Sequence, residues 1–317
     1  MKEEADRTLA GIGKAVFKIE TVRKITQACC FLLLNAVVFG IGPWPILLPL
    51  LGTLGTSTKT VGEALGALQF MLYELSLAAL LALASIFLAS VLFGRAICGW
   101  VCPFGFVQDV LGYFKRKHTH VSLSTHRWMI NVKYGVLAII LFVSGTLAAS
   151  SAMGTGTGYR EALGDFAKAP FNALSPADTL FAIVPRIVFQ IQEALLAFSE
   201  TYETALTGIL SIPTLLWVRL IIMVMFIALS LYIPRGWCRY FCPQGAFSAL
   251  ISRFSFLGLQ RDPIHCTRGG CRDCVEVCPM MVRILDQTWE KFTDPECIYC
   301  LKCVSACSTK AIKPKFP

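Results

Sequence analysis

Four long apolar stretches divide this chain, and the polar segments between them carry most of its lysine and arginine. The stretches run over about residues 25–51, 75–93, 132–149 and 215–233. Each is close to the roughly 20 residues an α-helix needs to cross the hydrocarbon of a bilayer. Within the first, Gly42-Pro43-Trp44-Pro45 predicts a kink or an end to the span. Ahead of it, residues 1–24 are mixed in charge. Leu9, Ile12, Ala15 or Val16, Ile19 and Val22 fall at helical spacing there, which predicts a surface helix. No cleaved leader is expected, because the first apolar run begins only near Ile25.

The segment 150–212 opens rich in glycine and serine. It continues with apolar residues interleaved with Arg186, Gln190, Glu193, Glu200 and Glu203. Helices lying on the outer membrane surface are expected here rather than further spans, since those polar side chains would otherwise enter hydrocarbon.

Charge gives the orientation. Lysine and arginine gather on the inner side of a bilayer. With the N-terminus inside, 24 of the 29 basic residues fall in inner segments, the exceptions being Lys59, Arg160, Lys168, Arg186 and Arg219. The net charge of +9 therefore reflects membrane topology, and no nucleic-acid motif accompanies it. The composition agrees, being 55% hydrophobic and only 15% charged, where a soluble domain is about a quarter charged.

The 14 cysteines carry the chemistry. Cys98-x3-Cys102-Pro103 follows the second stretch and Cys238-x3-Cys242-Pro243 follows the fourth, each at the inner end of a span. This duplication predicts two parallel repeats about an axis along the membrane normal. Proline suits the first turn of a helix, so Pro103 and Pro243 are expected to begin new ones, with Cys102 and Cys242 at N-termini whose dipole favours thiolate. Phe104, Val107, Leu111 and Phe114, and likewise Phe247, Leu250, Ile251 and Phe254, recur at helical spacing and are expected along the membrane face. The four thiols read either as redox-active dithiols or as a shared four-thiolate metal site. Cys29 and Cys30, adjacent within the first stretch, read as packing.

The C-terminal segment has Cys266-x4-Cys271-x2-Cys274-x3-Cys278-Pro279, then Cys297-x2-Cys300-x2-Cys303-x3-Cys307. Three closely spaced thiolates wrap one face of a cubane cluster while the fourth cysteine of each run reaches the other cluster. The spacing predicts Cys266, Cys271, Cys274 and Cys307 on one 4Fe–4S cluster, and Cys278, Cys297, Cys300 and Cys303 on a second. Zinc ribbons, built of two separate CxxC knuckles, fit this crowding poorly. The first run has an enlarged first loop, and the second ends Cys307-Ser308 without a proline.

From residue 20 onward the chain resembles the NapH/NosR-type membrane ferredoxins, a family that includes MauN and CcoG proteins. Its duplicated CxxxCP motif and two-cluster segment stand in the family's order. The resemblance implies an inner-membrane, multi-pass electron-transfer subunit linking the quinone pool or cytoplasmic donors to a redox partner complex, rather than an enzyme in its own right. The alternative it offers is a CcoG-like copper or iron reductase or assembly protein that uses the CxxxCP thiols. The outer flavin domain of the larger relatives has no counterpart here. The four histidines, His118, His120, His126 and His265, lie in inner segments, so no bis-histidine haem is expected in the spans.

The expected architecture is thus an α-helical membrane bundle of about four transmembrane helices in two repeats, with a C-terminal α+β two-cluster ferredoxin-like domain. Its parts are a cytoplasmic segment 1–24, a transmembrane domain 25–261 and the cluster domain 262–317. The CxxxCP loops and the cluster domain share the cytoplasmic side.

Overall fold

The computed structural model describes residues 19–35, 80–114, 121–163, 175–185, 187–189, 214–266 and 270–317. The expected helix before residue 19, the Gly42–Pro45 break, the start of the second stretch and residues 164–174 and 190–212 of the outer segment lie outside these residues.

The described chain is mostly helical. Helix α1 covers residues 19–34, and α2 runs Leu80–Phe93. Then come a short helix α3 (Ala96–Trp100) and α4 (Pro103–Phe114). Helix α5 spans Leu123–Ala152, its first turn closed by Ser122, whose hydroxyl accepts from the Thr125 amide at 3.2 Å. It encloses the third expected span. Among the described residues it is the one helix long and apolar enough to cross a membrane. Ile139, Leu141 and Phe142 point outward from it, exposed.

After α6 (Gly156–Leu163), helix α7 (Pro176–Asp178) runs into a π-helical turn over Thr179–Ile183. Helix α8 (Thr214–Tyr232) covers most of the fourth apolar stretch and exposes Trp217, Ile221, Val224 and Met225. It leads to a second short helix, α9 (Gly236–Tyr240), and to α10 (Pro243–Ser252).

The two CxxxCP segments fold alike because their sequences impose the same local rules. In each, the second cysteine amide donates back into the short helix, Cys102 to the Ile97 carbonyl at 3.0 Å and Cys242 to that of Trp237 at 2.9 Å. Proline then opens the next helix, where its missing N–H costs nothing. The preceding cysteine sulfur accepts from a glycine amide, Gly105 to Cys102 and Gly245 to Cys242, both at 3.3 Å. Cys102 and Cys242 thus sit at helix N-termini as the sequence predicts. Phe104 departs from its prediction: it is buried in the core rather than laid along the membrane, whereas Phe114 and Phe254 are exposed. The packing is crosswise. Helix α4 lies against α8, and α10 lies against α2 and α5, so each motif leans on the apolar helix that precedes the other.

The cysteine-rich domain is stitched directly to this bundle. The Phe256 and Leu257 amides donate to the Val91 and Leu92 carbonyls at the end of α2, at 2.9 and 3.0 Å. A three-stranded antiparallel sheet follows, ordered β2 (Lys291–Phe292), β1 (Gly258–Arg261), β3 (Ile312–Lys315), with Leu259 opposite both Phe292 and Pro314. Pro314 is tolerated because β3 is an edge. Leu259, Met280, Ile284, Phe292, Ile298 and Ile312 form the domain's core, and Cys98 of the first motif packs into that same cluster. The chain leaves α2 through Gly94 at φ +59°, where a Cβ would stand 2.6 Å from the Tyr299 ring.

Candidate functional site

The domain's cysteines fall into two neighbourhoods. Cys278, Cys297, Cys300 and Cys303 line one cavity, walled by Leu259, Met280, Ile284 and Ile298. Burial pushes the Cys297 and Cys303 thiols up and Cys278 to about 11. The Val282 amide faces the Cys278 sulfur at 3.4 Å. Around Cys274, the thiols that act on it electrostatically are Cys307, Cys266 and Cys271. Cys271 is exposed, Cys266 and Cys307 are half-buried, and the Ala311 amide donates to the Cys307 sulfur at 3.3 Å. Each neighbourhood therefore takes three cysteines from one run and one from the other. Four thiols around a cavity, rather than at a point, fit a cubane cluster better than a single ion. Among the described residues no three Cys, His, Asp or Glu side chains gather closely enough to hold one ion.

The CxxxCP thiols converge on one place beside these cysteines. The Cys102 thiol hydrogen-bonds to the Cys238 sulfur, and Cys98 and Cys238 both act electrostatically on Cys102 and Cys242. Their titration departs from the sequence expectation. At the helix N-termini Cys102 and Cys242 were to be thiolate-favouring. Instead, the hydrogen bond to Cys238 and burial carry Cys102 up, and burial carries Cys242 to about 12. Desolvation outweighs one turn of helix dipole. The thiol brought down, to about 7, is Cys238, through the hydrogen bond from Cys102, with Arg235, Gln108 and Arg95 adding to it. Gln108 donates to its sulfur at 3.0 Å.

Two buried charge groups frame the four sulfurs. Arg235 donates to both carboxylate oxygens of Asp109, at 2.8 and 2.6 Å, and Arg23 adds a third contact at 3.1 Å. Arg95 donates to Glu296 at 2.9 Å, and Lys133 binds the same carboxylate oxygen. Burial by itself would raise both carboxyls, but their cations hold Asp109 and Glu296 below the usual carboxylate range. The arginines also reach across between motifs. Arg95 donates to the Cys238 carbonyl at 3.4 Å, and Arg235 to the Cys98 carbonyl at 2.9 Å.

Sequence reasoning singled out none of Arg95, Asp109, Arg235, Gln108 or Glu296 as site residues. One signal was present: an arginine stands three residues before the first cysteine of each motif, Arg95 before Cys98 and Arg235 before Cys238. Gln108, Asp109 and Glu296 have no such mark. His118 and His120 lie outside the described residues, while His126 is hydrogen-bonded to the Tyr240 hydroxyl at 3.0 Å. Cys29 is exposed and Cys30 half-buried.

Comparison with known proteins places this geometry. Residues 75–120 and 215–258 match a family described as a 4Fe-4S binding domain, and residues 258–308 match a 4Fe-4S dicluster domain. An uncharacterized protein of Methanocaldococcus jannaschii is 26% identical over 229 residues, covering 70% of this chain and 73% of its own. The ferredoxin-type protein NapH of Haemophilus influenzae is 24% identical over 234 residues, 71% of this chain and 63% of its own. The regulatory protein NosR of Pseudomonas aeruginosa is 24% identical over 217 residues, 67% of this chain and 24% of its own. The chain is thus similar to ferredoxin-type proteins of the NapH and NosR kind. It spans less than two thirds of the length of these NapH and NosR relatives. No solved structure matches it. The 4Fe-4S binding domain family matches both CxxxCP segments, and the dicluster family matches the segment holding the eight cysteines from Cys266 to Cys307.

Proposed function

We propose that the chain is a multi-pass membrane electron-transfer subunit carrying two 4Fe–4S clusters. The observation that carries this reading is the cavity shared by Cys278, Cys297, Cys300 and Cys303, with Cys274 set among Cys266, Cys271 and Cys307. Those two sets would hold the clusters. A bound cubane supplies reversible one-electron transfer at nearly fixed geometry. The chain's own residues supply apolar walls, amide donors to sulfur, and the Arg239 guanidinium acting on Cys278.

A bilayer location is supported by the apolar, outward-facing surfaces of α5 and α8 and by the sorting of basic residues. We take the four apolar stretches as spans, the two CxxxCP units as parallel repeats, and residues 262–317 as a cytoplasmic cluster domain. The partner is a redox protein or membrane complex, with quinone as the lipid-phase donor or acceptor. The cluster on Cys266, Cys271, Cys274 and Cys307, nearest solvent through Cys271, is then the end that meets a soluble partner.

The crossing cysteines test the reading. In the full chain purified anaerobically in detergent, Cys307→Ser should remove the cluster built on Cys266, Cys271 and Cys274 and leave the other's spectrum. Cys278→Ser should do the reverse. If both substitutions abolish the same signal, or neither alters any, the assignment fails.

A further inference from the structure

We propose that the cavity between α1 and α4 binds the phosphate headgroup of an anionic phospholipid from the inner leaflet, with Arg23 as its buried anchor. The proposal rests on the bilayer location argued above, and adds a lipid site to it.

The cavity is amphipathic. Helix α1 runs antiparallel to α4: Lys24 lies over the Tyr113 ring, Arg23 and Gln27 reach Asp109, and Phe31 packs on Phe106 with ring centres 5.4 Å apart. Between them the helices leave a cavity of about 310 Å³, at the small end of ligand pockets. Its two ends differ. Arg23, Lys24 and Tyr113 stand at one, and Ala28 and Phe106 at the other. Ile25, Val110 and Tyr113 line it and are exposed, so it opens outward. Lys24 is the last basic residue before the first apolar stretch. With that stretch as a span, the charged end lies at the level of the inner headgroups and the apolar end lies deeper. A phospholipid presents its charge and its hydrocarbon in that same order.

Charge gives the second, independent argument. Arg23 is 1% exposed, and its Nε has no partner among the described residues. Asp109 is already satisfied without it. Arg235 binds both carboxylate oxygens, at 2.8 and 2.6 Å, and Gln27 donates to one of them at 3.1 Å. Lys302 acts on the same carboxylate from the cysteine-rich domain. Asp109 is thus one anion among three cations. A buried guanidinium with an unmet N–H is costly unless an acceptor meets it. A phosphodiester brings both the acceptor oxygens and the negative charge, whereas a neutral headgroup brings oxygens alone. At the rim, Lys24 pairs with Glu20 at 3.7 Å, an exposed contact weak enough to yield to a phosphate. Basic pockets between helices on the cytoplasmic side are where anionic headgroups are held.

The test is lipid binding by the full chain, purified in detergent and stripped of lipid. Phosphatidylglycerol, phosphatidylcholine or inorganic phosphate is added, bound lipid is counted by native mass spectrometry, and thermal unfolding is followed on the same samples. Phosphatidylglycerol should bind at one site and raise the unfolding temperature, while the other two at equal concentration should not. Lys24→Gln should weaken this binding about fivefold, the worth of one basic side chain at an anionic lipid surface. Arg23→Gln should weaken it at least as much. Ala28→Phe, which fills the apolar end and leaves the contact of Arg23 with Asp109 intact, should weaken it too, so the outcome does not hang on Arg23→Gln folding. Equal binding of the two lipids would overturn the proposal, as would stabilisation by inorganic phosphate alone or a quinone retained there in place of lipid. Lys24→Gln and Ala28→Phe chains that bind like wild type would overturn it as well. A chain that stays dispersed without detergent would sink the membrane reading too, whereas lost lipid selectivity alone would leave that reading standing.

Discussion

The Arg235 guanidinium leaves its own motif and donates to the Cys98 carbonyl of the other at 2.9 Å, while holding Asp109 with its remaining nitrogens. It does so from a left-handed backbone conformation, φ 53°, which is uncommon for a residue with a side chain. Arg95 makes the reciprocal reach to the Cys238 carbonyl. The two motifs are thus tied by buried charge, and breaking one tie leaves Asp109 short of a partner. Arg235→Met should destabilise the chain by about 1.5–3 kcal/mol, the cost of hydrogen bonds lost to a charged group, because Asp109 keeps Arg23 as a partner. Thermal unfolding in detergent measures this; a loss below about 1 kcal/mol would show that the tie is dispensable.

The contact between Gly99 and Ile298 predicts a steric effect. Gly99→Ala places a methyl group against the Ile298 carbonyl, so the strand of chain between Cys297 and Cys300 must shift. The spectrum of the cluster proposed on Cys278, Cys297, Cys300 and Cys303 should change and its loss to a chelator should quicken. Gly135→Ala, where nothing lies within 4 Å of the added Cβ, should leave both unaltered.

Acid should loosen the assembly through Asp109. Burial alone would raise its pKa, but Arg235 and Arg23 overcome that and depress it in the folded chain. Its contribution is therefore complete above the unfolded value of about 4 and is lost as the pH falls below it. Asp109→Asn should be less stable than wild type near neutrality and show a flatter acid limb in thermal melts taken between about pH 6 and pH 3. Parallel acid limbs would count against the assignment.

Much of this was legible in the sequence, and the reason is spacing. The CxxxCP units fold as their prolines dictate, with Cys102 and Cys242 at helix starts. This follows from local geometry. What was not legible depends on contacts distant along the chain. Glu296 reads as a residue flanking a ligand until Arg95 and Lys133 are seen to close on it from other helices. Phe104 shares a helical face with Phe114, yet one is buried and the other exposed, because the crosswise packing of α4 on α8 covers only the start of that face. The same burial reverses the expected acidity of Cys102 and Cys242, which periodicity alone cannot reveal.

Exposure distinguishes the two proposed cluster sites. Cys271 is exposed, whereas Cys303 is buried. Under air or an iron chelator, the signal that depends on Cys271 should decay first, and the one that depends on Cys303 should persist several-fold longer. Equal decay would place both clusters at equal depth.

The most direct measurement is a dithionite reduction of the anaerobically purified full chain, followed by low-temperature EPR with iron and acid-labile sulfide assayed on the same sample. The account predicts signals of two reduced 4Fe–4S clusters, broadened by their magnetic interaction, each tied to its cysteine set by the Cys278→Ser and Cys307→Ser variants. A chain that stays free of iron and sulfide after anaerobic reconstitution, or that binds zinc at the same cysteines, would contradict it.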